Sequence, residues 1–175
     1  MLLGHTCVCA VEIESYPRRV LLQRQRDGIL PKFPIWDDVR TFDGKPWRGL
    51  VDVVCGGFPC QDISVSGLGA GITGAKSGLW SEYSRTIKDV NPKFALIENS
   101  PQLVRKGFEK ILFDLSEIGY DAEWECIRAC WIGANHRRER LWVVAYPQSI
   151  RRPEMDKNKP FRLPDLNSES NEAFG

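Results

Sequence analysis

The sequence predicts an α/β fold: a mainly parallel sheet with an antiparallel hairpin at one edge. Three observations carry that reading. Apolar runs of strand length alternate with stretches of helical periodicity. The first three runs are each followed by a helical stretch, whereas the last two are joined by a short polar segment. Polar and reactive residues gather at the carboxyl ends of the runs, where open α/β sheets bind their ligands.

The elements follow in order. Residues 6–13, Thr-Cys-Val-Cys-Ala-Val-Glu-Ile, read as a buried parallel strand ending in acid. Ser15 suits a helix N-cap, Pro17 the first turn and Gly28 the position past the end, so the stretch between them is expected to be helical. Val51–Cys55 is a second buried strand. Residues 79–90 form a helical pattern that stops at Asn91-Pro92, and Phe94–Glu98 is a third strand. Apolar residues at Phe108, Ile111, Leu112, Leu115 and Ile118 share one helical face over 108–118, closed by Gly119. Strands at about 122–130 and 141–146 flank an arginine-rich segment and form the edge hairpin. From Gln148 onward the chain turns polar, so residues 1–147 are expected to form one domain and 148–175 a flexible tail.

Composition narrows the class. A chain of 175 residues has the size of one domain with a tail. With 24 Lys+Arg against 23 Asp+Glu the net charge is +1, which excludes a strongly basic nucleic-acid arm but leaves room for a local basic patch. No apolar stretch approaches the roughly 18 residues needed to span a membrane. The start, Met1-Leu2-Leu3-Gly4-His5, has neither the basic region nor the long apolar run of a signal peptide, so the chain is expected in the cytoplasm.

Six cysteines, at 7, 9, 55, 60, 126 and 130, form no C-x-x-C, and His5 and His136 lie far apart, so no metal site is expected. Five of them sit in apolar, strand-like surroundings and read as small core residues. Cys60 differs. It follows a strand through Gly56-Gly57 and Pro59; the glycines permit a sharp turn and the proline fixes φ. A thiol held at a strand exit is placed to act as a nucleophile, a packed and inert cysteine being the alternative.

Glu98-Asn99 ends the next strand, where a carboxyl can serve as acid or hydrogen-bond donor to a ligand, or simply be solvated. Parallel pairing would bring it near Cys60. In the run His136-Arg137-Arg138-Glu139-Arg140, period two puts Arg138 and Arg140 on one strand face and Arg137 on the other. Guanidinium groups there can recognise carboxylates, phosphates or base edges. Gly69, Gly71 and Gly74 match a dinucleotide fingerprint in spacing only, because the preceding strand ends far upstream; a mobile loop beside Cys60 fits better. Glu12-Ile13 ends the first strand, where an acid commonly takes ribose hydroxyls, and Asp38-Val39 follows the short apolar run Phe33–Trp36 and could flank an adenine.

Together these residues resemble the DNA cytosine-5 methyltransferases over about residues 5–147. Gly57-Phe58-Pro59-Cys60-Gln61 is similar to the family's Pro-Cys motif, Glu98-Asn99-Ser100 to its Glu-Asn-Val motif, and His136-Arg137-Arg138-Glu139-Arg140 to its Gln-x-Arg-x-Arg motif. The resemblance implies a Rossmann-like fold that uses S-adenosylmethionine. It implies that Cys60 attacks C6 of a flipped-out cytosine, that Glu98 hydrogen-bonds N3, and that Arg138 and Arg140 hold the base and the loop. It assigns cofactor contacts to Glu12, Ile13, Asp38, Val39, Pro59 and Leu79, and substrate contacts to Phe58, Gln61, Ser64 and Asn99.

The resemblance also implies an incomplete fold. The family begins with a strand and a Phe-x-Gly-x-Gly-Gly loop that cradles the methionine end of the cofactor, and here Met1 falls after that point. The strand would lie mid-sheet, beside the one ending at Glu12. The target-recognition domain expected after Tyr146 is missing too. The chain is therefore expected to act on double-stranded DNA, in a bacterial or phage-infected cell, with the missing parts supplied by a second polypeptide. An inactive remnant or a DNA-binding partner subunit is the alternative, and methylation of RNA cytosine or a free nucleotide is disfavoured by the Pro-Cys-Gln and Glu-Asn context.

Overall fold

The computed structural model describes residues 4–59, 78–105 and 107–150. Cys60, Gln61, Ser64, the glycine-rich stretch before Gly78 and the tail from residue 151 lie outside the described residues.

The strand expected over 6–13 reduces to β1, Ala10–Val11. Its strand partner is the equally short β2, Ile35–Trp36, in parallel register, and a two-residue pairing is all that β2 offers. Between them runs α1, Ser15–Arg26. Ser15 is the first helical residue rather than the cap: Glu14, with extended backbone, holds that position, and its N–H donates to Glu12 Oε1 at 2.8 Å. Gly28 follows the helix with φ +71°, the left-handed conformation that glycine adopts without strain.

A four-stranded sheet forms the body of the protein. It contains β3 (Val53–Gly57), β4 (Phe94–Asn99), β5 (Tyr120–Arg128) and β6 (Glu139–Pro147), in the order β3-β4-β6-β5. β3 and β4 are parallel; β6 is antiparallel to both β4 and β5. The expected hairpin thus takes the edge, with β6 inside and β5 outermost. Helices α2 (Gly78–Val90) and α3 (Phe108–Glu117) cover one face. Asn91, with φ +51°, and Pro92 stop α2 where the sequence places the stop.

Alternation along the strands decides which face is core. Ala95, Ile97, Leu141, Val143 and Ala145 are fully buried against Trp80, Ile87, Ile111 and Leu115 of the two helices. Leu96, Glu98, Trp142 and Val144 alternate with them onto the other face and are only half-buried. This corrects the expectation for the cysteines. Cys55 pairs with Leu96 and so lies on the face away from α2 and α3, and it is exposed. Cys130 is exposed in the turn Ala129–Ile132, while Cys7, Cys9 and Cys126 are half-buried. Apolar neighbours in sequence do not make a core position when the strand presents the residue to the uncovered side.

Two arginines tie the segment after β2 to α2. Arg48 donates to the carbonyls of Lys88 and Asp89 at 2.8 and 3.0 Å, satisfying the helix C-terminus. Arg85 donates to the carbonyls of Val39 and Phe42 at 2.8 and 2.9 Å, held in place by Glu82 and Asp89.

Neighbouring positions on α3 test this assignment of the core. Leu115 is fully buried, whereas Phe113 is 63% exposed. Leu115→Ala is expected to destabilise the fold by about 2–5 kcal/mol, and Phe113→Ala by no more than about 0.5 kcal/mol. Urea denaturation of the two variants checks the contrast.

Candidate active site

The register of the sheet builds the site. Gly57 on β3 pairs with Glu98 on β4, and Glu98 pairs with Trp142 on β6. Side chains at period two share a face, so Arg140, two residues before Trp142, stands on the Glu98 side of the sheet. Arg140 Nε lies 2.7 Å from Glu98 Oε1, an ion pair about one-third exposed on each side. A Cβ on Gly57 would come within 2.9 Å of Glu98 Oε2, so the other carboxylate oxygen lies directly against the glycine Cα. The Glu98 carboxylate is therefore fixed between a guanidinium and a glycine, at the carboxyl end of two parallel strands.

The exit of β3 is fixed from the core side. Phe58 is buried, and its ring packs at 5.3 Å on Trp80 of α2. Trp80 Nε1 donates to Asp114 Oδ2 on α3 at 2.7 Å, and Lys110 pairs with the same carboxylate. Tyr83 lies under Gly56 and donates to the Leu96 carbonyl at 3.0 Å. Burial pushes its hydroxyl far above the usual tyrosine range, so it remains a neutral donor. Asn99, buried at 4% exposure, donates from Nδ2 to the Phe58 carbonyl at 2.8 Å and accepts from the Ser100 N–H at 2.8 Å. Pro59, exposed, is the last described residue before Cys60.

Four of the six expected cofactor residues, Glu12, Ile13, Asp38 and Val39, follow the other pair of parallel strands. The Glu12 N–H donates to the Trp36 carbonyl at 2.9 Å, so Glu12-Ile13 and Asp37-Asp38-Val39 leave the carboxyl ends of adjacent strands. Glu12 uses Oε1 on the Glu14 N–H, and Ile13 is 55% exposed. Asp38 caps the turn Val39–Thr41 through the Arg40 N–H and also binds the Arg40 guanidinium. Those hydrogen bonds from Arg40 hold its carboxyl below the usual carboxylate range. Glu12 and Asp38 thus bring carboxylates, and Ile13 and Val39 partly exposed aliphatic side chains, to the ends of adjacent strands, a donor set of the kind that a ribose and an adenine ring take. Leu79 stands half-buried in the first turn of α2.

Arg138 lies one residue before β6, which begins at Glu139. The Arg138 carbonyl accepts from the Ala129 N–H at 2.9 Å in the turn, and its side chain is exposed. His136 and Arg137 before it are exposed as well, and the Arg128 guanidinium, paired with Glu139, lies 5.4 Å from the Trp131 ring.

Sequence reasoning missed two contributors. The sequence points to backbone freedom at Gly57, whereas the missing side chain also leaves room for Glu98. Arg85 was passed over in a helical pattern; its spacing from Glu82 and Asp89, i−3 and i+4, was the available signal for an anchored guanidinium. Burial meanwhile pushes the Cys7, Cys9 and Cys126 thiols up, which makes them poor nucleophiles.

Comparison with known proteins identifies the family. A family model described as C-5 cytosine-specific DNA methylase matches residues 2–174. The Type II methyltransferase M.Eco47II of Escherichia coli is 35% identical over 151 residues, 81% of this chain and 34% of its own length. M.CviJI, a Type II methyltransferase of Paramecium bursaria Chlorella virus IL3A, is 30% identical over 141 residues, covering 80% of this chain and 37% of that protein. In fold, the chain is similar to the Dnmt2 methyltransferase of S. pombe, with a TM-score of 0.66 at 19% identity, covering 88% of this chain and 46% of that one. The chain thus spans about a third of the length of the curated relatives it matches. Motifs, sheet register and family match converge: the chain belongs to the C-5 cytosine-specific DNA methylase family.

Proposed function

We propose that this chain carries the catalytic centre for transfer of a methyl group from S-adenosylmethionine to C5 of cytosine in double-stranded DNA, working with a second polypeptide that supplies the parts of its relatives it does not span. The observation that supports this most is the Glu98 carboxylate held at 2.7 Å by Arg140 and backed by Gly57, beside the strand that leads to Cys60. The target base sits within a duplex and must be turned out of the stack to be reached. Its C5 is unreactive until a nucleophile adds across the neighbouring double bond. The Cys60 thiolate forms a bond to C6 and the ring electrons move toward C5, while a proton carried by the Glu98 carboxyl is donated in a hydrogen bond to N3. S-adenosylmethionine, when bound, supplies the methyl group for C5. Transfer of the C5 proton to a water molecule acting as base, with return of the N3 proton to Glu98, then lets the Cys60–C6 bond break, returning the thiolate and an aromatic ring.

The remaining residues divide by position. Arg140 orients Glu98, and Arg138, exposed in the turn with Arg137, faces the DNA. Glu12, Ile13, Asp38, Val39, Pro59 and Leu79 take the cofactor. Gln61 and Ser64, which follow Cys60, meet the substrate, and Phe58 brings the chain to it through its backbone because its ring is buried.

Three outcomes are expected. With the complementing polypeptide, a duplex carrying 5-fluorocytosine and S-adenosylmethionine should give a denaturation-resistant adduct that Cys60→Ser abolishes; an adduct surviving that change means another nucleophile. Glu98→Gln should lower the methyl-transfer rate by ~10²–10⁴ with little change in thermal midpoint, and Gly57→Ala should also slow transfer by pushing the carboxylate aside. A radioactive methyl-transfer assay and a melting curve on the same samples check both. Finally, the purified 175-residue chain alone should bind S-adenosylmethionine ~10- to 10³-fold more weakly than the complemented protein, the second polypeptide contributing about three hydrogen bonds to the cofactor. Isothermal titration calorimetry measures the difference.

A further inference from the structure

The hairpin of β5 and β6 reaches past the end of β4. Asn99, the last residue of β4, pairs with Leu141, while Arg140 and Glu139 of β6 pair with Ile127 and Arg128 of β5. At about 3.4 Å per residue, those two positions carry the connecting turn ~7 Å beyond the strand end where Glu98 stands. The turn Ala129–Ile132 is closed by its own backbone: the Ala129 N–H donates to the Arg138 carbonyl at 2.9 Å, and the Ala134 N–H to the Ala129 carbonyl at 3.1 Å. It holds two large apolar side chains in solvent, Trp131 at 62% and Ile132 at 78% exposure. The Arg128 guanidinium, fixed by Glu139 at 3.3 Å, lies 5.4 Å from the Trp131 ring centre and helps to orient it. Charge in this segment has one sign. Residues 128–138 contain Arg128, Arg137 and Arg138 and no acid. Among the described residues, the side chains of Arg137 and Arg138 have no ion-pair partner.

We propose that Trp131 and Ile132 form an apolar contact to duplex DNA, laid against its sugars and base edges, while Arg137 and Arg138 hold its phosphates. The proposal rests on the reading that Glu98 receives a cytosine from a duplex. A duplex that brings a base to the carboxyl end of β4 meets the overhanging turn. DNA offers phosphates beside apolar sugars and base faces, so it matches both the charge and the exposed apolar area. A purely electrostatic contact would need the arginines alone and would leave Trp131 and Ile132 without a purpose. A polypeptide would match the apolar side chains, but only an acidic one would also match Arg137 and Arg138, whereas DNA carries its charge throughout.

Fluorescence anisotropy of a short labelled duplex, titrated with the full chain at several salt concentrations, tests this. Trp131→Ala is expected to weaken binding about five- to hundredfold, the loss of one aromatic contact, without changing the slope of log affinity against log salt. Trp131→Phe should recover most of that loss, and Ile132→Ser should weaken binding severalfold, again at unchanged slope. Arg137→Gln should instead make the slope shallower by about 0.9, the release of one counterion. Phe113→Ala, which removes a ring of similar exposure from α3, should change neither quantity. Unchanged affinity in folded Trp131→Ala and Ile132→Ser would overturn the proposal and assign the patch to a polypeptide. A loss matched by Phe113→Ala, or no binding by the unaltered chain at the lowest salt, would overturn it as well. Failure of the underlying reading looks different: Trp131→Ala would still weaken DNA binding, but Glu98→Gln would leave methyl transfer by the complemented protein intact.

Discussion

The Glu98–Arg140 pair is the constraint on which the rest of the site depends. An ion pair about one-third exposed contributes little to stability, ~0–1 kcal/mol. What it does is direct a carboxylate. Glutamate has several rotamers at a strand end; here Arg140 fixes one oxygen and the bare Cα of Gly57 borders the other. Both partners owe their positions to backbone register, Glu98 to the β3–β4 pairing and Arg140 to the β4–β6 pairing. A slip of one residue in either ladder would turn one side chain to the opposite face and dissolve the pair. The buried row of Ile97, Leu141 and Val143 under α2 and α3 resists that slip, so the core secures the register and the register secures the chemistry.

Helix α2 links the two halves of the site. Its first two turns carry Leu79, then Trp80 and Tyr83 beneath the β3 exit, and Arg85 holds the carbonyls of Val39 and Phe42. The segment expected to meet adenine and the strand expected to present the nucleophile therefore rest on one rigid element. Arginine suits this place because its planar fork reaches two carbonyls and two carboxylates at once, which a lysine cannot do.

Much of this was legible in the sequence. The run 94–98, the helical face at 108–118 and the stops at Asn91-Pro92 and Gly119 were recovered almost to the residue, because local patterning and the burial of one sheet face agree there. Glu98 and Arg140 were found because each ends or begins an apolar strand. What escaped detection were features set by distant contacts. β2 is too short to show a pattern and exists only through its pairing with β1. Cys55 was placed in the core because its neighbours are apolar, yet which face of a strand lies under helices is decided by α2 and α3 rather than by the strand.

The central claim is that the Glu98–Arg140 pair exists to orient a carboxylate and not to hold the sheet together. A double-mutant cycle with Glu98→Gln, Arg140→Gln and the double variant, read on both thermal stability and methyl-transfer rate in the complemented protein, tests it most directly. The account predicts a stability coupling no larger than ~1 kcal/mol, together with strong non-additivity in rate: once Glu98 is replaced, removing Arg140 should slow the reaction little further. Large coupling in stability with additive losses in rate would contradict it.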